Sequence, residues 1–118
     1  MQNIQVLSGM KIEKEGNVVS SEENELVLIK IPAGESAKVN MKVEEKGRVR
    51  ILIGRGAYLD LSVESDCKGE GGLESEFMLE ENAKLKIKEV HLNNLNSKNR
   101  ITCEKGSIVT RQLTNVSG

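Results

Sequence analysis

The feature that most constrains this chain is a period-two alternation of aliphatic and polar residues that recurs along it in nearly constant register. Ala37, Val39, Met41 and Val43 alternate with Lys38, Asn40 and Lys42. Ala57, Leu59, Leu61 and Val63 alternate with Tyr58, Asp60 and Ser62, and Ala83, Leu85 and Ile87 with Lys84, Lys86 and Lys88. Successive side chains of a β-strand point to opposite faces, so each run reads as a strand with one buried face. No window carries an apolar stripe of helical period. The best helical candidate, Ser20 to Glu25, has a capping residue followed by Glu but no apolar face to bury, and it reads as a turn.

The residues before these runs match as well. Six positions before each Ala stands Ile31, Ile51 or Phe77; four before it stands Ala33, Ile53 or Leu79; directly before it stands Ser36, Gly56 or Asn82. A fourth copy follows with Ile101, Cys103, Gly106, Ser107, Val109 and Leu113, although Arg111 interrupts its inward alternation. The anchors 37, 57, 83 and 107 lie 20, 26 and 24 residues apart, about one solenoid rung per repeat, each made of strand, tight turn, strand and longer return. The expected fold is all-β, a short parallel β-helix of about four rungs. An antiparallel β-sandwich or jelly roll is the alternative that periodicity leaves open. Residues 1–24, with a weaker pattern at Ile4, Val6, Met10, Ile12 and Val18, are expected to form an N-terminal cap or edge segment, and residues 25–118 the β-helical domain. A stack of rungs ends in unpaired strand edges, which predicts self-association.

Composition narrows the function. One Tyr, one Phe and no Trp leave little on which to stack bases, and a net charge of -1 removes the electrostatic case for nucleic acid or an anionic membrane. The longest aliphatic run, Leu26 to Ile29, is far too short to span a bilayer. The N-terminus has no secretory pattern and two cysteines make no disulfide framework, so a cytoplasmic chain with free thiols is expected.

Few residues stand out for chemistry. His91 is the only histidine, so any Ser/His or Cys/His pair must pass through it; it lacks a nearby metal-binding partner in sequence and otherwise reads as an exposed residue at a strand end. Glu89 occupies the inward row of Val43, Val63 and Leu113, either where the strand leaves the core or as a functional carboxylate. Cys67 lies in a polar, glycine-rich loop beside Lys68, where a thiolate would be favoured. Cys103 takes the place of Ile53 and Leu79 and reads as a small buried hydrophobe or a ligand. No nucleophile elbow or phosphate loop occurs, and no enzymatic activity is expected.

The segments IKIPAGESAKVNMKV (29–43), ILIGRGAYLDLSVESDC (51–67), FMLEENAKLKIKEVHLNN (77–94) and NRITCEKG (99–106) together resemble the β-helical core of the SufB/SufD family of iron–sulfur cluster assembly proteins. The GAY strand with a downstream Glu and Cys is the most specific part. The resemblance implies a right-handed parallel β-helix acting as a scaffold, as a homodimer or paired with a related β-helical subunit, with an ABC-type ATPase subunit as a further partner. It implies Cys67 as sulfur acceptor, with Cys103, His91 and Glu89 as candidate cluster or metal ligands, and an iron–sulfur cluster held transiently rather than a resident cofactor. Glu64 and Cys67 are spaced more widely than in the family. The segment in which family members carry their cluster-binding cysteine and histidine has no counterpart in this sequence, so what the resemblance implies is a truncated or minimal relative. A structural, self-associating β-solenoid without chemistry, similar to the bactofilins, is the alternative function.

Overall fold

The alternating runs become strands that climb a solenoid. A computed structural model describes residues 3–7, 10–44, 47–66, 72–92 and 98–116. Among them lie β1 (Asn3–Leu7), β2 (Met10–Gly16), β3 (Val19–Glu23), β4 (Leu26–Ile31), β5 (Ser36–Val43) and β6 (Gly47–Ile53). They continue as β7 (Tyr58–Ser65), β8 (Leu73–Leu79), β9 (Lys84–Leu92), β10 (Lys98–Cys103) and β11 (Ile108–Val116). From β4 onward, alternate strands fall into two sheets. One is ordered β1-β2-β5-β7-β9-β11 and the other β10-β8-β6-β4-β3. All pairings between successive rungs are parallel, which excludes the antiparallel sandwich and gives a β-solenoid of about three turns carrying four strand pairs.

Like stacks on like inside it. Ile29, Ile51, Phe77 and Ile101 form one inward row, and Ala37, Leu59, Leu85 and Val109 another. In the first three rungs these side chains are buried, Phe77 among them, while Tyr58 faces outward. Branched aliphatics at every second position suit this interior because each packs on its counterpart above and below as well as across the core.

The tight corner explains the spacing of the repeat. Pro32, Gly54, Glu80 and Glu104 each accept a hydrogen bond at their carbonyl from the amide three residues on. The third residue of each turn, Gly34, Gly56, Asn82 or Gly106, has a positive φ. The amides of Gly34, Gly56 and Asn82 reach the next rung at Arg55, Glu81 and Lys105, so the ladder continues around the corner.

These turns also correct the repeat register. Gly34 corresponds to Gly56, which aligns Ala37 with Leu59 and Ile31 with Ile53. The sequence alignment places the first copy two residues away from this, matching Ala37 to Ala57 and Ile31 to Ile51. A two-residue slip leaves every side chain on its correct face, so alternation alone does not detect it.

The N-terminal residues add two strands to one sheet and one to the other at the β4–β5 end. β2 pairs antiparallel with β5, and β3 antiparallel with β4, burying Met10 and Ile12. Ser20 to Glu23 are therefore strand residues, and only Asn24 and Glu25, both at positive φ, form the expected turn. β1 lies outside β2 with Ile4 and Val6 exposed. Behind it, Lys14 donates to Gln5 Oε1 and to Ser20 Oγ, a polar cluster between the two sheets.

Candidate functional site

The inward rows change character toward the C-terminal end, and the residues singled out from the sequence gather there. Parity along β7 turns Ser65 inward after Val63, and the parallel register sets it beside His91 of β9, two residues beyond Glu89. In the fourth rung, Asn99 of β10 and Arg111 of β11 also point inward. Four strands from both sheets thus bring five polar side chains into one network.

Its centre is the Glu89 carboxylate, 3% exposed. His91 Nε2 lies 2.9 Å from Glu89 Oε2, Arg111 donates to the same oxygen at 3.1 Å, and Asn99 Nδ2 donates to Oε1 at 3.1 Å. On its other edge the ring places Nδ1 2.5 Å from Ser65 Oγ. Burial pushes the Glu89 carboxyl up, but the hydrogen bonds from His91, Asn99 and Arg111 and the Arg111 charge outweigh it and hold the group below its ordinary value. With Glu89 ionised, the ring donates from Nε2.

A serine, a histidine and a carboxylate in sequence suggest a nucleophile and its base. In this structure Ser65 is fully buried, and the Glu89 carboxylate is met by three donors. The network ties the fourth rung, through Asn99 in one sheet and Arg111 in the other, to the third.

His91 is consequently a buried residue, 5% exposed, and not the exposed strand end that its isolation in the sequence suggested. Cys103 departs in the opposite sense. It does occupy the inward row of Ile53 and Leu79, but no described residue stacks beyond it in the last rung, and it is exposed with a free thiol. Nor does it join Glu89 and His91: it lies four residues along β10 from Asn99, about 13 Å away at the rise of an extended strand. Among the described residues no three of His, Cys, Asp and Glu converge as metal ligands. Cys67 lies outside the described residues.

Sequence reasoning singled out Glu89, His91 and Arg111 separately and missed Ser65 and Asn99. Arg111 carried the clearest signal, because a cation in an inward row of one rung calls for an anion in an inward row of the next.

The second feature of this end is what it leaves open. β11 and β10 are the last strands of their sheets. Leu113 is 47% and Ile108 54% exposed, and Ile101 and Val109 are only partly buried. Comparison of the chain with protein-family models, curated proteins and solved structures finds no match.

Proposed function

We propose that the protein is a structural scaffold that joins a second copy of itself end to end through the last rung, with β11 as the principal seam. The observation that carries this reading is the character of β11. It is a nine-residue edge strand, IVTRQLTNV, whose single charge, Arg111, points inward to Glu89. Its outward side chains Ile108, Thr110, Gln112 and Thr114 are uncharged. A long edge whose one cation is half-exposed and already paired to Glu89, with no charge on its outward face, is what chains normally avoid, because its free amide and carbonyl groups template pairing with another strand. A two-fold pairing of β11 with its copy would extend the sheet and cover Val109 and Leu113.

The iron–sulfur role implied by the resemblance would fall to Cys67 and Cys103, since Glu89 and His91 are engaged in fastening the last rung. It has no further support among the described residues.

Sedimentation velocity across the micromolar range tests the proposal. The expected result is a reversible dimer for the wild-type chain, and a monomer of unchanged circular dichroism for Thr110→Lys/Gln112→Lys, which places cations on the outward face of the seam. A wild-type chain that stays monomeric throughout overturns it, as does a dimer that the double substitution leaves intact.

A further inference from the structure

β10 ends the other sheet, and its chemistry differs from that of β11. On the outer face of this sheet, two columns of side chains run across the strands. Leu26, Arg48, Glu74 and Lys98 make one, and Leu28, Arg50, Glu76 and Arg100 the other. Arg48 pairs with Glu74 at 3.6 Å and Arg50 with Glu76 at 3.5 Å. Each column therefore alternates cation, anion, cation, and each stops on a cation at the edge. Lys98 and Arg100 make no ion pair among the described residues. A groove of about 320 Å³ runs among Arg48, Arg50, Glu74, Glu76, Lys98 and Arg100.

A second copy fits this half of the open end poorly. A two-fold pairing would set the cations of one β10 against those of the other, and like charges facing each other across strands are unfavourable. The alternation asks for carboxylates next.

The chain contains the matching strand. In β8, LESEFML, Glu74 and Glu76 face outward between two cationic strands, while Phe77 and Leu79 stack inward on Ile101 and Cys103. A strand of that chemistry laid along the edge of β10 would repeat both relations: acidic side chains over Lys98 and Arg100, and apolar ones over the partly buried Ile101 and the exposed Cys103. The geometry points to β10 as the docking edge for an extended acidic segment of a partner protein, with carboxylates at alternate positions and aliphatic or aromatic residues following on the other face. Such a segment adds a strand to the sheet and is selected by its charge pattern. The inference rests on the last rung being the working end of the scaffold, as proposed above, but it names a different strand and a different occupant.

Fluorescence anisotropy with labelled peptides tests it, at chain concentrations where sedimentation shows monomer. The probes are GLESEFML, copied from residues 72–79, and its charge-reversed counterpart GLKSKFML. The wild-type chain is expected to bind the acidic peptide roughly tenfold more tightly than the basic one, because two cross-strand pairs change from attractive to repulsive. In Lys98→Glu/Arg100→Glu the preference is expected to reverse. In Thr110→Lys/Gln112→Lys, which alters only β11, it is expected to persist, so failure of the self-association reading leaves this result readable. Equal affinity for the two peptides, no binding of either, or an unchanged preference in Lys98→Glu/Arg100→Glu would overturn the inference.

Discussion

Glu89 stands in the inward row of Met41, Val63 and Leu113, where every other rung has an apolar side chain. A lone carboxylate there would be costly. It is tolerated because three donors meet it, His91 from its own strand and Asn99 and Arg111 from the two strands that must be held at the end of the stack. Glu89→Gln keeps the shape and removes the charge that Arg111 and His91 answer, so chemical denaturation near neutral pH should show a loss of about 1–3 kcal/mol. The same group gives a pH dependence of known sign. Its carboxyl is held lower in the folded chain than in the unfolded one, so its stabilising effect is complete above the unfolded value. As the pH falls, the unfolded chain takes up the proton first, and the contribution is lost progressively down to the folded value. The stability difference between wild type and Glu89→Gln should therefore shrink through the acid range and vanish below it. A difference that does not change with pH would show that the charge is not what the network recognises. The sequence displayed Glu89 and Arg111 as two breaks in one pattern, and rung-to-rung stacking is what joins them. Asn99 was hidden because it precedes the alternating part of its strand, and Ser65 because a small residue at the end of an apolar row carries no signal of its own.

At the scale of elements, the corner turns separate what alternation encodes from what it leaves undetermined. Strand identity and the inward face were legible in residues 37–43, 57–63 and 83–87, since a period of two has one structural meaning. Registration was legible among the last three rungs, where 57, 83 and 107 align, but not for the first, because shifts of two residues are degenerate in that code. The degeneracy is broken at the corner, by the recurrence of a positive φ at residues 34, 56, 82 and 106. Gly54 adds a steric reason. A Cβ there would stand 2.7 Å from the amide nitrogen of Ala33 and 2.9 Å from the carbonyl of Ile31, backbone atoms of the preceding rung. At Gly56 a Cβ meets nothing within 4 Å, and the cost of a side chain is the left-handed backbone alone. Asn82 occupies the equivalent place in the next rung at φ 61, which shows that a side chain is accepted there. Gly54→Ala is therefore expected to lower the thermal midpoint more than Gly56→Ala, by a margin of about 1–3 kcal/mol in stability. An equal loss at the two sites would mean that close approach between rungs does not set the register.

For the whole molecule, the order of the stack becomes an order of stability. In a solenoid each rung contacts its neighbours alone, so cohesion is a sum of nearest-neighbour terms and an end rung has half of them. The N-terminal end recovers the missing half by folding β2 and β3 back antiparallel onto β5 and β4, with Met10 and Ile12 completing the core. Among the described residues the C-terminal end is fastened by the polar network and by the partly buried Ile101 and Val109, while Leu113 and Cys103 stay exposed. Amide hydrogen exchange should consequently be slowest in β5, β6, β7 and β8, and markedly faster in β10 and β11 of the monomer. Raising the chain concentration should slow exchange in β11 while leaving β1 and β3 unchanged, because the proposed seam lies at one end of the stack and not the other. Adding the acidic peptide should slow exchange in β10 instead. Uniform exchange from end to end would mean that the rungs open as one unit. Protection that rises with concentration at β1 would place the seam on the exposed Ile4 and Val6 and turn the assembly around.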